Sequence, residues 1–382
     1  MELNDFRALV DEHRVECKVC GFKDFALSQH LRTAHGTSPG AYKKKFGDHT
    51  PIASPIVTHL LRQLDRVPPG IQSLEKFTPP YMATPGSLDI DAMVATVAPH
   101  LEPITKQVDE LIPLEMNPFV FDDAANYVLA GMVLHKNVYI EGPTGCGKTE
   151  LVNQLHFKMG RPLERVNMKG DVTTAKFVGS MRANKTQGTY FEYGVLPRCM
   201  RGGYTMLLDE VDYAPPHILA VCSPVLEGRP TLYLEETGEH ITAEPGFRVI
   251  ATGNTGGKGD IYGVYTGTEI LNTAFLDRFG VKVRTDYLDE GQEIGLLESK
   301  FDVGQGEITK TVQFATEVRT AFKSGNLSVT LSTRKLIDFY ELRSVLGTTR
   351  AWHAVLWGWL DSDDRALVSE MANRIKLSDC PK

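Results

Sequence analysis

Cysteine is scarce in this chain: six among 382 residues are too few for a disulfide framework. Cys146, Cys199, Cys222 and Cys380 are scattered and read as reduced thiols, while Cys17 and Cys20 form a lone Cys-x-x-Cys pair that reads as metal-binding. No apolar run approaches the roughly 18 residues that a membrane span requires, and the charged start MELNDFRALVDEHR lacks the apolar core of a signal peptide. The expectation is a cytoplasmic protein without a membrane partner. Positive charge is not in excess either. With 41 Lys and Arg against 48 Asp and Glu, the net charge of -7 excludes a polycation that coats nucleic acid, so any such contact is local. There is no internal repeat and no low-complexity tract. What is present, 42% hydrophobic and 23% charged residues, is the composition of an ordinary globular protein with room for a sizeable core.

Four regions follow from the pattern along the chain. Residues 1–50 concentrate Cys, His and Lys. Residues 51–115 are broken by prolines in PIASP, VPPG, FTPPYMATPG and EPITK, which suits a linker or adaptor with short helical pieces, the best being LDIDAMVATVAPHLEPI. Over residues 116–287 apolar strand-like runs (NVYIEG, LERVNM, TMLLDEV, FRVIATGN) alternate with helical patterns, the signature of an α/β domain built on a parallel sheet. Residues 288–382 carry apolar spacings of three and four and read as a helical subdomain.

The strongest chemical signal is Gly142-Pro143-Thr144-Gly145-Cys146-Gly147-Lys148-Thr149, a full G-x-x-x-x-G-K-[ST] element between a strand and a helix. Its glycines let backbone N–H groups wrap phosphate oxygens, the helix N-terminus adds positive potential, and Lys148 neutralises the β/γ oxygens of ATP while Thr149 ligates magnesium. Downstream, the strand Thr205-Met206-Leu207-Leu208 ends in Asp209, suited to the magnesium shell, and Glu210, suited to polarise an attacking water. A third strand runs into Asn254, a short amide at the end of a strand where ligands sit in α/β folds, though Asn there also suits a plain turn. Arg278, on a short helix, reads either as a solvated charge or as a finger for a neighbouring subunit's site. Arg334 opens a helix in the tail, from which it reaches toward the γ-phosphate.

In this order the parts resemble an AAA+ ATPase. More narrowly they resemble the MoxR branch and, within it, the ATPase subunits of aerobic cobalt chelatases, on HKNVYIEGPTGCGKTELVNQL, FVGSMRANKTQGTYFEYGVL, MLLDEVDYAPPHILAVCSPVLEG and ATGNTGGKGDIYGVYTGTEILNTAFLDRF. The resemblance implies an AAA+ P-loop domain with a parallel sheet and a C-terminal helical lid. It assigns Asn254 as sensor 1, Arg278 as a trans arginine finger and Arg334 as sensor 2. It further implies a homo-oligomeric ring, commonly a hexamer, acting on a partner with a von Willebrand A-type domain. The segment GRPTLYLEETGEHITAEPGFR looks like that family's β-hairpin insertion, and residues 177–193 suit either a pore lining or core.

At the N-terminus, Cys17, Cys20, His30 and His35 have the spacing of a tetrahedral zinc site, whose metal supplies folding energy that so small a module lacks. The run from Cys17 to Phe46 resembles the Ros/MucR class of zinc fingers, which bind DNA. It carries six basic residues against one acidic, including Lys23, Arg32, Lys43, Lys44 and Lys45 as phosphate contacts. The same basic face suits a finger that docks on protein, and both readings stand at this point. The chelatase subunits lack such a finger.

Overall fold

The computed structural model describes residues 15–16, 23–24, 44–45, 89–104, 108–115, 118–169, 172–184, 188–260 and 265–377. The chain divides into two units, Met1–Pro79 and Pro80–Lys382. In the first, Val15–Glu16 pairs antiparallel with Lys23–Asp24, and Lys44 and Lys45 are helical and exposed. Cys17, Cys20, His30 and His35, the residues expected to hold zinc, lie outside the described residues, as do Arg32 and Lys43.

The second unit begins with α1 (Ile90–Val97), capped by the Asp89 side chain, which accepts from Ala92 N; its buried residues are Ile90, Met93, Val94 and Val97. It packs against α2 (Ala124–Val133) and α3 (Lys148–Met159), so this piece of the proline-rich region is fastened to the helices beside the sheet. The sheet strands are β1 (Val138–Glu141), β2 (Leu163–Asn167), β5 (Thr205–Asp209), β8 (Arg248–Gly253) and β9 (Val281–Arg284). All pair in parallel, in the order β9-β1-β8-β5-β2. Val138, Tyr139 and Ile140 of β1 and all five residues of β5 are buried, which explains why these strands read as continuous apolar runs rather than alternating ones. Between β2 and β5 lie α4 (Thr174–Phe177), the hairpin β3 (Gly179–Asn184) with β4 (Gly188–Tyr193), and α5 (Val195–Gly202). Phe177 is buried in the core, whereas Phe191 and Tyr193 pack only partly against it. After β5 come α6 (Pro216–Cys222) and a second hairpin, β6 (Thr231–Leu234) with β7 (Glu239–Thr242), where the insertion was expected. The short helix α7 (Thr273–Leu276) precedes β9.

The remainder is helical: α8 (Glu290–Lys300), α9 (Gln305–Lys323), α10 (Thr333–Leu346), α11 (Thr348–Val355) and α12 (Ser362–Ile375). Their starts are legible in local chemistry. Asp289 and Gln292 form a reciprocal capping box on α8, Ser332 caps α10, and Asp361 caps α12. They enclose a separate core in which Trp352 stacks on Phe339 at 3.9 Å and meets the edge of Phe314 at 5.5 Å. Among the described residues no helix is long and apolar enough to cross a membrane.

Candidate nucleotide site

Strand register brings the site together. Gly253 of β8 pairs with Glu141 of β1, Ala251 pairs with Leu208 of β5, and Asn167 of β2 pairs with Asp209, so the C-terminal ends of adjacent strands finish almost level. The glycine-rich loop leaves β1, the two carboxylates follow β5 and Asn254 follows β8, at the end of a parallel sheet where ligands bind. A single loop could not gather these groups, since 106 residues separate Lys148 from Asn254.

Gly147 stands at the N-cap of α3 with φ of 97°, a left-handed value that directs the loop into the helix and that side chains resist. Lys148 is 8% exposed, and its Nζ donates to Gly142 O at 2.8 Å, Pro143 O at 2.8 Å and Asn254 Oδ1 at 2.9 Å. Burial lowers the pKa of this ammonium from its ordinary value, against the raising influence of nearby acidic groups. Three acceptors therefore hold the loop's cation, and phosphate oxygens are the kind of ligand that replaces them.

Thr149 Oγ1 donates to Asp209 Oδ1 at 2.7 Å. Thr252 donates to the same oxygen, while Arg165, reaching across from β2, donates to Oδ2 through Nε at 2.9 Å and through its terminal nitrogen. Burial alone would raise the Asp209 pKa. The hydrogen bonds from Thr252 and Thr149 and the charge of Arg165 outweigh it and hold the carboxyl below its ordinary value. A hydroxyl and an ionised carboxylate oxygen side by side form a hard-oxygen pair that fits magnesium, and the loop's phosphate site adjoins them.

Glu210 adopts a left-handed backbone, φ 58° and ψ 47°, which turns its side chain away from the line of β5. Its N–H donates to Thr252 Oγ1 at 3.0 Å and its carboxylate pairs with Lys169 Nζ at 2.7 Å. The hydrogen bond from that pairing is the main cause that raises the Lys169 pKa. Asp212, fully buried, accepts from Tyr139 Oη at 2.9 Å and from the backbone N–H groups of Asn254 and Thr255 (2.7 Å for Thr255), fixing the turn that presents Asn254.

From the helical part, Arg334 is exposed and joins Gly145, Cys146, Gly147 and Lys148 around a cavity of about 290 Å³, whose other walls include Phe119, Val120, Leu296 and Ile337. Arg278 lies elsewhere. Asn137, just before β1, donates to its carbonyl at 3.3 Å, which puts Arg278 at the N-terminal end of the sheet. Four residues of β1 at roughly 3.3 Å each separate that end from the loop by about 13 Å. Its guanidinium donates to Glu227 at 3.2 Å and to Ala274 O.

The structure thus gathers Gly142 to Thr149, Asp209, Glu210, Asn254 and Arg334, and leaves Arg278 outside. Sequence reasoning missed Arg165, Lys169, Asp212 and Thr252. Asp212 had a signal, an acidic residue three places after Asp209 in a strand-end segment. Arg165 had none, because its contact depends on β2 lying beside β5, a pairing of segments some 40 residues apart that no local pattern encodes.

The model of an AAA domain of the dynein-related subfamily matches residues 137–279. The aerobic cobaltochelatase subunit CobS of Sinorhizobium sp is 30% identical over 292 residues, covering 73% of this chain and 88% of that one. An uncharacterized protein of Staphylococcus saprophyticus is 32% identical over 238 residues, and one of Staphylococcus epidermidis is 34% identical over 239; each match covers 61% of this chain and 86% of the relative.

Proposed function

This chain belongs to the AAA ATPases, as a relative of the CobS subunit, and from that premise we propose a magnesium-dependent ATPase whose ring drives the remodelling of a partner protein. The observation that carries the catalytic assignment is the meeting of Lys148, Thr149, Asp209, Glu210 and Asn254 at level strand ends. In this reading the cavity beside Phe119, Val120 and Ile337 takes the base and sugar, and the N–H groups of residues 145–149 take the phosphates. Lys148 and Arg334 bind γ-phosphate oxygens. Thr149 and Asp209 would hold magnesium, which supplies charge neutralisation of the transferred group when bound. Glu210 accepts the proton of a water as its oxygen attacks the γ-phosphorus. The bond from that phosphorus to the β,γ-bridging oxygen breaks, releasing ADP and phosphate, while Asn254 orients the water.

Arg278 supports the ring. At the far end of its own sheet it cannot meet its own phosphates, so its catalytic use requires a second copy of the chain. A hexamer and a von Willebrand A-type partner are the further proposals, with a zinc finger held by Cys17, Cys20, His30 and His35 recruiting DNA or protein through its basic face. Similarity over most of the length of a cobaltochelatase subunit favours a second reading, in which the remodelled partner is a metal chelatase.

Glu210→Gln tests the catalytic assignment. The variant should bind ATP with near wild-type affinity while turnover falls by at least about a hundredfold, because only the proton acceptor is lost. Unchanged turnover would remove Glu210 as the base, and Lys148→Ala should instead lose binding.

A further inference from the structure

Thr144, at the tip of the glycine-rich loop, is held from both sides by tyrosines outside the loop. Its N–H donates to Tyr265 Oη at 3.4 Å, and Tyr287 Oη donates to its carbonyl at 2.9 Å. Tyr287 sits in the short connection between β9 and α8, where the chain passes from the sheet to the helical lid. Burial pushes its hydroxyl up to about 12, so it remains a protonated donor at neutral pH.

A chain of paired groups leads from this ring into the lid. The Arg319 guanidinium stands over the Tyr287 ring, 4.3 Å from its centroid. Arg319 makes two parallel bonds to Glu293, at 2.8 and 2.7 Å, and its Nε donates to Leu331 O at 2.7 Å. Glu293 is 0% exposed and Arg319 5%, so neither charge has water to fall back on if the pairing opens. The same Glu293 oxygen that pairs with Arg319 accepts from Thr333 Oγ1 at 2.6 Å. Thr333 is the first residue of α10 and Arg334 the second. Leu331 and Thr333 thus pin both sides of Ser332, whose side chain lies against Gly145 of the loop. The groups between Thr144 and Arg334 are linked by hydrogen bonds, one buried ion pair and the contact of the Arg319 guanidinium with the Tyr287 ring, and such a network shifts as a unit rather than piecemeal.

We propose that Tyr287 is a positioning residue that couples the shape of the phosphate loop, through Arg319 and Glu293, to the placement of Arg334, and so sets nucleotide affinity. The proposal rests on the loop being the nucleotide site. When phosphate draws the loop's backbone around it, the Thr144 carbonyl moves with the loop, and Tyr287 transmits that movement to the start of α10. The hydroxyl is needed for this and the ring is not enough.

The test uses the full-length protein and equilibrium binding of a fluorescent ATP analogue with magnesium, with thermal melting as a check on folding. Tyr287→Phe removes one oxygen and should weaken binding several-fold, and Arg334→Ala by about tenfold. The double variant should bind no more weakly than Arg334→Ala alone, because both substitutions interrupt one route. In hydrolysis, Tyr287→Phe should raise KM and leave kcat within about twofold. Arg319→Lys, which keeps the charge but not the two parallel bonds, should reproduce the binding loss. Losses that add in the double variant would make Tyr287 a local packing residue and overturn the coupling. So would unchanged affinity in either single variant. Lys148→Ala separates the underlying assumption: if it binds the analogue like wild type, the nucleotide-site assignment has failed rather than the relay.

Discussion

At Lys148 and His156, one helix places two ionisable side chains in burial and gives them opposite fates. Lys148 is compensated by three acceptors and remains a usable cation. His156 is fully buried; its Nδ1 meets Val152 O at 2.8 Å, and among the described residues its Nε2 has no hydrogen-bond partner. Burial drives its pKa down from 6.5 to about 4, so it is neutral in the folded protein. The unfolded chain binds a proton at this residue below about 6.5 and the folded chain does not until about 4, so stability falls as pH drops through that window. Per linkage, the loss is on the order of 3 kcal/mol once both limits are passed. Denaturant midpoints measured at pH 7 and pH 5 should therefore differ, and His156→Met should shrink the difference. An unaltered difference in the variant would assign the pH dependence to other groups.

Among the elements, α10 approaches the glycine-rich loop closely enough to constrain the site. Gly145 has φ of +73°, and a Cβ built there would lie 2.6 Å from both Cβ and Oγ of Ser332. Gly145→Ala therefore meets strain from its own backbone and a clash with the cap of α10 together. Nucleotide affinity should fall at least about tenfold, read by titration with a fluorescent ATP analogue. Ser332→Gly placed on top should recover part of the loss, since it removes the clash and leaves the backbone strain. Full recovery would mean that φ at this position is unimportant; none would mean that the clash is.

On the scale of the whole molecule, the separation of Arg278 from its own phosphates by the length of β1 predicts trans complementation. Arg278→Ala should bind nucleotide yet hydrolyse it slowly, and Lys148→Ala should be inactive. Mixing the two should restore some activity, because interfaces that join an intact loop to an intact arginine reappear. Activity that stays at the sum of the separate proteins at every mixing ratio would place the arginine in cis or in a structural role. Its present partners are Glu227, 60% exposed at the side chain, and the Ala274 carbonyl, so releasing the arginine toward a neighbour breaks a weak, solvated pair and a hydrogen bond to the adjoining short helix α7.

Much of the architecture and most of the candidate site were legible in the sequence. The glycine-rich loop, Asp209, Glu210 and Asn254 each sit where an apolar run stops, and a buried parallel strand leaves that mark in sequence because both of its faces are covered. The helices of the lid were readable for a similar reason, since one apolar stripe and a capping Asp or Ser are local properties. What only the tertiary structure decided is which charges meet. Arg165 beside Asp209, Lys169 on Glu210, Asp212 beneath the Asn254 turn and Arg319 on Glu293 are contacts between segments from 26 to 44 residues apart where a hydrogen bond joins them. They depend on strand order and on the packing of α8 against α9, and a charged residue in a strand or helix looks the same in sequence whether it ends in water or against a buried partner.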